Sequence, residues 1–228
     1  RKEVTAVFVT FLNRYWKFAE IGFQILAQRM IKNPLAQKLR NHTLILASGA
    51  PRRQQFIKDL GLDFEVRIKS VDEVYPKSLK AGEIANYLSE LKALPHKNDL
   101  MDNEILITSD TIVWHQGESL AKAQNETEAM AMLRKLSNSW HEVITSVCFT
   151  TTTQQKTVQD TTRVKFSEIT DKQIHYYLNA YRPYDKAGAY GIQEWIGAVA
   201  IERIEGSYNT VVGLPTHIVY KTLMHMVK

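Results

Sequence analysis

Apolar and polar positions fall into a regular order from residue 43 onward. Residues 43–48 read as a buried strand. Pro51 to Leu60 then carries a helical period, with Phe56, Ile57 and Leu60 on one face and Gly61 closing the end. Phe64-Glu65-Val66-Arg67-Ile68 alternates, which predicts a second strand. Residues 82–94 predict a helix that turns Ile84, Leu88, Leu91 and Leu94 inward and leaves Lys92 on another face. Residues 104–113 predict a strand that runs apolar and then presents Asp110, with a hairpin turn near Gln116-Gly117. Asn125 with Glu128 predicts a capped helix over 126–136, and Thr170 with Gln173 another over 171–181. Between them, the β-rich runs 142–152 and 157–167 pair as a hairpin through Gln154-Gln155. Residues 184–191 read as a loop and 198–205 as a strand ending at Gly206. A last helix starts at Gly213-Leu214-Pro215 and ends near Val227. Strands and helices alternate without strict βαβ order, so the expected fold class is α/β with a mixed, twisted sheet flanked by helices.

Composition narrows this picture. A chain of 228 residues, 44% apolar and 23% charged, has the make-up of a globular protein with a sizeable core. Cys148 is the only cysteine, which excludes a disulfide framework and a cysteine-based metal site and fits a reducing compartment. The net charge of +5 is concentrated at one end. Residues 1–40 hold eight Lys and Arg against two Glu, a net of +6 that leaves the remainder at −1. Any argument for nucleic-acid binding from charge therefore concerns this segment alone. Residues 6–28 are aromatic-rich, but Arg14, Lys17 and Glu20 interrupt them, which argues against a membrane span. No small-residue cleavage site follows to mark a signal peptide; a basic amphipathic helix is compatible with the pattern. Met30 can serve as the start, so residues 1–42 are expected to form an extension outside the catalytic fold, with the domain proper over 43–228.

Several residues suggest chemistry. In Leu44-Ile45-Leu46-Ala47-Ser48-Gly49-Ala50-Pro51-Arg52-Arg53 a strand passes through a small-residue turn into a helix with two arginines in its first turn. A helix N-terminus already carries partial positive charge, so two added guanidiniums and the Ser48 hydroxyl suit an anion such as a phosphate chain. Asp110 lies at the carboxyl end of a buried strand, where α/β proteins place ligands. With Glu73 it can hold a Mg²⁺ or Mn²⁺ ion, which takes carboxylate and phosphate oxygens. Lys92 and Lys122 offer point charges for phosphate. Gln193 presents a planar amide that matches the N3–H donor and O4 acceptor of uracil or thymine. Taken singly, each also fits a plain structural role: a βα turn, a capped turn, a solvated lysine. A phosphate loop of the Gly-x4-Gly-Lys-Ser/Thr type is missing, as are His-Glu-x-x-His and Gly-x-Ser-x-Gly motifs, and the seven histidines do not cluster.

Four segments in order, Ala47 to Arg53, Ser109-Asp110-Thr111, Asp185 to Gln193, and Gly206 to Pro215, resemble the Maf family of nucleoside triphosphate pyrophosphatases from about residue 43 to the C-terminus. The resemblance implies a two-lobed, inosine-triphosphatase-like fold around a nucleotide-binding cleft. It implies metal-dependent hydrolysis of a nucleoside triphosphate to the monophosphate and pyrophosphate, by a cytoplasmic homodimer. Asp110 takes the place of the family's general base, and Arg52, Thr111 and Gln193 its specificity positions. Gln193, rather than an acidic residue, resembles the dTTP/UTP branch. Ser48, Arg53, Lys92, Lys122 and Glu73 fall on the other polar positions of the cleft. Ala50 stands where the family has a second Ser, and Ala123 where it commonly has Pro, which predicts a looser loop after Lys122. Two other readings share these residues: a nucleotide- or nucleic-acid-binding regulator of cell division without turnover, and a nucleotidyl transferase.

Overall fold

The structure, a computed structural model, describes residues 32–227. The predicted amphipathic segment 6–28 and the start at Met30 lie outside the described residues. The elements in chain order are helix α1 (Pro34–Lys38), strand β1 (Thr43–Leu46), α2 (Pro51–Asp59), β2 (Glu65–Val66), α3 (Gly82–Ala93) with a 3₁₀ turn over Leu94–Asp99, β3 (Glu104–His115) and β4 (Glu118–Leu120). There follow α4 (Glu126–Leu136), β5 (Trp140–Thr150), β6 (Gln155–Phe166), α5 (Asp171–Tyr181), α6 (Trp195–Ala200), β7 (Ile201–Glu205), α7 (Tyr208–Val212) and α8 (Thr216–Met226). The strands form one mixed seven-stranded sheet in the order β2-β1-β3-β5-β6-β7, with β4 paired to β3. β1 runs parallel to β2 and β3, and the other pairs are antiparallel. The mixed α/β class is the one expected.

The helix signals act as their chemistry requires. Thr170 and Gln173 form a reciprocal capping box at α5. At α4 the box is half made: the Asn125 side chain accepts from Glu128 N, but the Glu128 carboxylate accepts from Gln124 N (2.9 Å) and Asn125 Nδ2 (3.3 Å) instead of the backbone N–H of the cap residue. Differences also occur. The strand expected over 64–68 shrinks to two exposed residues, Glu65 and Val66, paired with Ile45 and Leu46 at the end of β1; the Arg67 side chain then forms a two-point ion pair with Glu104 (2.8 and 3.1 Å). Residues 195–200, part of which read as strand, form α6, which buries Ile196 and Ala200 one turn apart. Gly197 allows this, since a Cβ there would lie 1.7 Å from the Ile192 carbonyl oxygen. Leu94, expected to face inward, is exposed, as it lies past the end of α3 in the 3₁₀ turn. Residues 33–42 pack on the fold: Leu35 and Leu39 share a core with Leu223 and Val227, and Lys38 donates to the Met224 carbonyl (2.6 Å).

The sheet faces differ. One face carries two separate cores. The first gathers Leu46, Ile107, Val147 and Phe149 under α1, α2 and α8; the second gathers Val113, Val143, Val164 and Phe166 under α4, α5 and α6. The other face is covered chiefly by α3, whose Ile84, Ala85 and Leu88 pack on Ile112 and Ile144. β1 pairs with β3 only as far as Leu46↔Ile107, and β4 takes up the same edge of β3 from Val113. The edge between them, around Ser109 to Ile112, is a notch in the sheet between the two cores. Among the described residues, no helix is long and apolar enough to cross a membrane.

Candidate active site

A cavity of about 490 Å³ opens at this notch. Ser48, Arg52, Arg53, Glu73, Lys92, Asp110, Thr111, Lys122 and Gln193 all line it, so every residue singled out in the sequence meets there. Successive residues of a strand point to opposite faces. Where both faces are normally sealed, Asp110 and Thr111 could not share a space; at the unpaired edge they do. Asp110 sits on the α3 face, cross-strand from Ser146. Thr111 sits on the face of the two cores, cross-strand from Thr145.

On the α3 face the groups are charged. Asp110 is buried, and its carboxylate accepts from Lys92 Nζ at 2.5 Å. The same ammonium lies 3.3 Å from Glu73, and Lys122 reaches Glu73 at 3.2 Å from the other side. Burial raises the Asp110 carboxyl above its ordinary range, with Lys92 and then Arg53 opposing the rise. Burial also works to raise Glu73, but Lys92 and Lys122 outweigh it and hold that carboxyl below the usual range. Two carboxylates one strand and one loop apart thus have opposite leanings. Asp110 is inclined to take a proton and Glu73 to stay ionised.

The two arginines of the opening turn part company. Arg52, half-buried, points across the mouth of the cavity to Asp185 (3.7 Å). Arg53 is buried: its Nε donates to the Gly213 carbonyl (2.8 Å) and its Nη2 to the Thr111 hydroxyl (3.1 Å). Burial lowers the Arg53 pKa to about 10, which still leaves it charged at neutral pH. Arg53 is therefore first a brace between α2, β3 and the turn before α8. Gly213 can present its carbonyl this way because it adopts φ +121°, which a side chain would make costly. Ala50, the N-cap of α2, contributes no side-chain hydrogen bond; the Ser48 hydroxyl accepts from Ala50 N instead (3.3 Å).

Beyond the arginines the walls turn apolar, with Val113, Val143, Tyr190, Ile192, Val211 and Val212. Gln193 stands exposed at this end. Its loop is held from behind. The Tyr177 hydroxyl accepts from Gly191 N (3.0 Å) and donates to Glu194, which also pairs with Lys186 (3.1 Å). Lys186 in turn holds Asp185 (2.7 Å), the partner of Arg52. The loop after Lys122 is not loose: Ala123 is buried and Lys122 forms a β-bridge with Ala187. Asp185 and Lys186 were visible in the sequence as part of a motif but carried no assigned chemistry. Tyr177 and Thr145 gave no signal, since a tyrosine on a helix and a threonine in a strand are ordinary core residues.

The family described as Maf-like protein matches residues 43–226. The chain belongs to the Maf family. Among relatives, a Flavobacterium johnsoniae protein named dTTP/UTP pyrophosphatase is 55% identical over 193 residues, covering 85% of this chain and 100% of that one. A Phocaeicola vulgatus protein of the same name is 44% identical over 190 residues, covering 83% of this chain and 98% of its own. Of solved structures, the Staphylococcus aureus Ham1 protein aligns with 54% of this chain and 71% of its own at 15% identity and a TM-score of 0.41, too low to carry an argument. The motifs that mark this Maf chain are the segments lining the notch.

Proposed function

We propose that this chain hydrolyses dTTP and UTP to the nucleoside monophosphate and pyrophosphate. The observation that carries the reading is Asp110: a buried carboxylate, inclined to accept a proton, in a cavity with cations at one end and apolar walls at the other. The names of the Flavobacterium and Phocaeicola relatives support the choice of substrate.

In this reading Asp110 takes the proton of the attacking water at the α-phosphorus. Arg52, Lys92, Lys122 and the Ser48 hydroxyl hold the phosphate chain and stabilise the charge that builds on the departing pyrophosphate. The donor set also fits a hard divalent cation. Asp110 and Glu73 contact one and the same ammonium and both line the cavity. Among the described residues no third His, Cys, Asp or Glu joins them. Two carboxylates with the other positions left to water and phosphate is how Mg²⁺ or Mn²⁺ is commonly held. When bound, such an ion would supply further positive charge to the phosphoryl oxygens. Arg52 and Gln193 face the base, and the valines beside them provide its apolar slot. The same reading includes a homodimer acting in the cytoplasm; light scattering of the purified chain tests the dimer.

Product analysis across a panel of nucleoside triphosphates, with Mg²⁺ or Mn²⁺ and after chelation, tests the proposal. The expected products are free monophosphate and pyrophosphate, fastest from dTTP and UTP. Monophosphate attached to an acceptor would mean a transferase, and tight nucleotide binding without products would mean a sensor. The nucleic-acid reading rests on the basic segment, most of which lies outside the described residues.

A further inference from the structure

We infer that Thr145, buried in the middle of β5, sets the direction of a hydroxyl chain so that Thr111 meets the base only as a hydrogen-bond acceptor, and that this selects uracil and thymine over cytosine. The inference rests on the pyrimidine reading above and goes beyond it by naming the buried residue that fixes the hydrogen-bonding role of Thr111, one of the expected specificity positions.

The chain of contacts leaves no freedom. Thr145 Oγ1 lies 2.7 Å from the Thr210 carbonyl, and a carbonyl cannot donate, so the single hydroxyl hydrogen of Thr145 is spent there. Thr111 Oγ1 lies 2.9 Å from Thr145 Oγ1. With the Thr145 hydrogen committed, Thr111 must be the donor in that contact. The remaining neighbour of Thr111 is Arg53 Nη2 at 3.1 Å, and a guanidinium only donates. The Thr111 oxygen therefore gives its hydrogen to Thr145, receives one from Arg53, and keeps one lone pair. Thr111 is half-buried and lines the cavity, so that lone pair is what it can offer a ligand.

The chain is also anchored against reversal. Thr145 is fully buried, Arg53 is fixed by its second bond to the Gly213 carbonyl, and the Thr210 hydroxyl is held by Asp160 (2.5 Å). Thr111, Thr145 and Asp160 lie side by side on one face of three adjacent strands, a polar row between the two cores.

Gln193 cannot make this distinction by itself. It is exposed, and its amide makes no hydrogen bond among the described residues. A free carboxamide serves uracil in one orientation, accepting from N3–H and donating to O4. Turned over, it serves cytosine equally well, donating to N3 and accepting from the exocyclic amine. Thr111 cannot turn over. Its lone pair takes the N3–H of uracil or thymine, leaving Gln193 to donate to O4, and repels the N3 lone pair of cytosine.

The test compares kcat/KM for UTP, dTTP and CTP in the wild-type chain, in Thr145→Val and in Thr145→Ser. Valine keeps the shape of threonine and removes the acceptor, which frees the Thr111 hydrogen to meet cytosine. The expected result is a fall of about tenfold in the UTP/CTP ratio for Thr145→Val, the worth of one hydrogen bond, and a wild-type ratio for Thr145→Ser, which keeps the hydroxyl. A purely structural role for Thr145 would lower both rates together and leave the ratio alone, and that outcome overturns the inference. Should Thr145→Val fail to fold, N3-methyl-UTP with the wild-type chain decides instead: rejection is expected, and turnover equal to UTP overturns the inference. UTP hydrolysis with an unaltered ratio would leave the proposed function standing. No pyrophosphate from any nucleoside triphosphate would remove both.

Discussion

Asp110 and Thr111 are adjacent in β3 and point to opposite faces of the sheet, yet both line one cavity. On the Asp110 side the neighbours are full charges, Lys92, Glu73 and Lys122, brought in by a helix and by loops. On the Thr111 side they are hydroxyls, a braced arginine and valines, held by the sheet and by short helices. In the proposed function, the difference follows from what each end has to recognise. A phosphate chain is bound by charge, which acts over distance and tolerates movement of the groups that carry it. A base is told apart by single hydrogen bonds, which depend on direction and so demand a rigid frame. The notch in the sheet lets one strand present both.

If the two sides divide the work in this way, their substitutions should differ in kind as well as in size. Asp110→Asn removes the base and should reduce pyrophosphate release by roughly 10²- to 10⁴-fold, with thermal unfolding little changed. Full activity in that variant would falsify the assignment of the general base. Lys92→Met comes next, with an expected loss in kcat of roughly a hundredfold. It also carries a pH signature. Asp110 must be deprotonated to act; burial raises its pKa and Lys92 holds the rise in check. Without the lysine the pKa climbs further, so the acid limb of the kcat/KM profile should move to higher pH. A limb that stays in place or moves down would break the link between Lys92 and Asp110.

On the other side the effects should be smaller and selective. Gln193→Glu replaces the amide by an acceptor-only group that cannot donate to O4 of the base. An increase of about tenfold in KM for UTP with kcat nearly kept is expected, read from initial rates. A fall in kcat of the size seen for Lys92→Met would mean that the two sides are not separable. The smallest effect belongs to the turn that joins them. Ala50→Ser supplies the missing N-cap hydroxyl of α2 and should stabilise the fold by about 1 kcal/mol, a rise in Tm of a few degrees. UTP/CTP selectivity should be untouched; a change there would place residue 50 in base recognition.

Much of this was legible along the chain because the signals are local. Thr170 and Gln173 announce a helix start through bonds spanning three residues, and the turn from Leu46 to Pro51 declares itself by residue type. Each of the residues singled out for chemistry does line the cavity. The differences come from packing. Residues 195–200 form a helix where the chain folds back on Ile192, a close approach that Gly197 permits and that a strand-like run of apolar residues does not reveal. Residues 33–42 read as part of an extension, since five residues of helix show no period; Leu35 and Leu39 pack in a core whose other members run from Leu44 to Val227.

The sequence by itself determined most of the elements and the small-residue turn at residues 47–53, and it singled out Asp110 as the expected general base, because caps, turns and burial patterns are settled by neighbours within a few positions. Tertiary structure alone decided that Arg53 is a brace while Arg52 stays at the cavity mouth, that β3 has an open edge at Asp110, and that a hydroxyl of β5 orients Thr111. Those facts rest on contacts between residues 34 to 160 positions apart. Pairing at that distance is fixed only when the whole sheet closes around it.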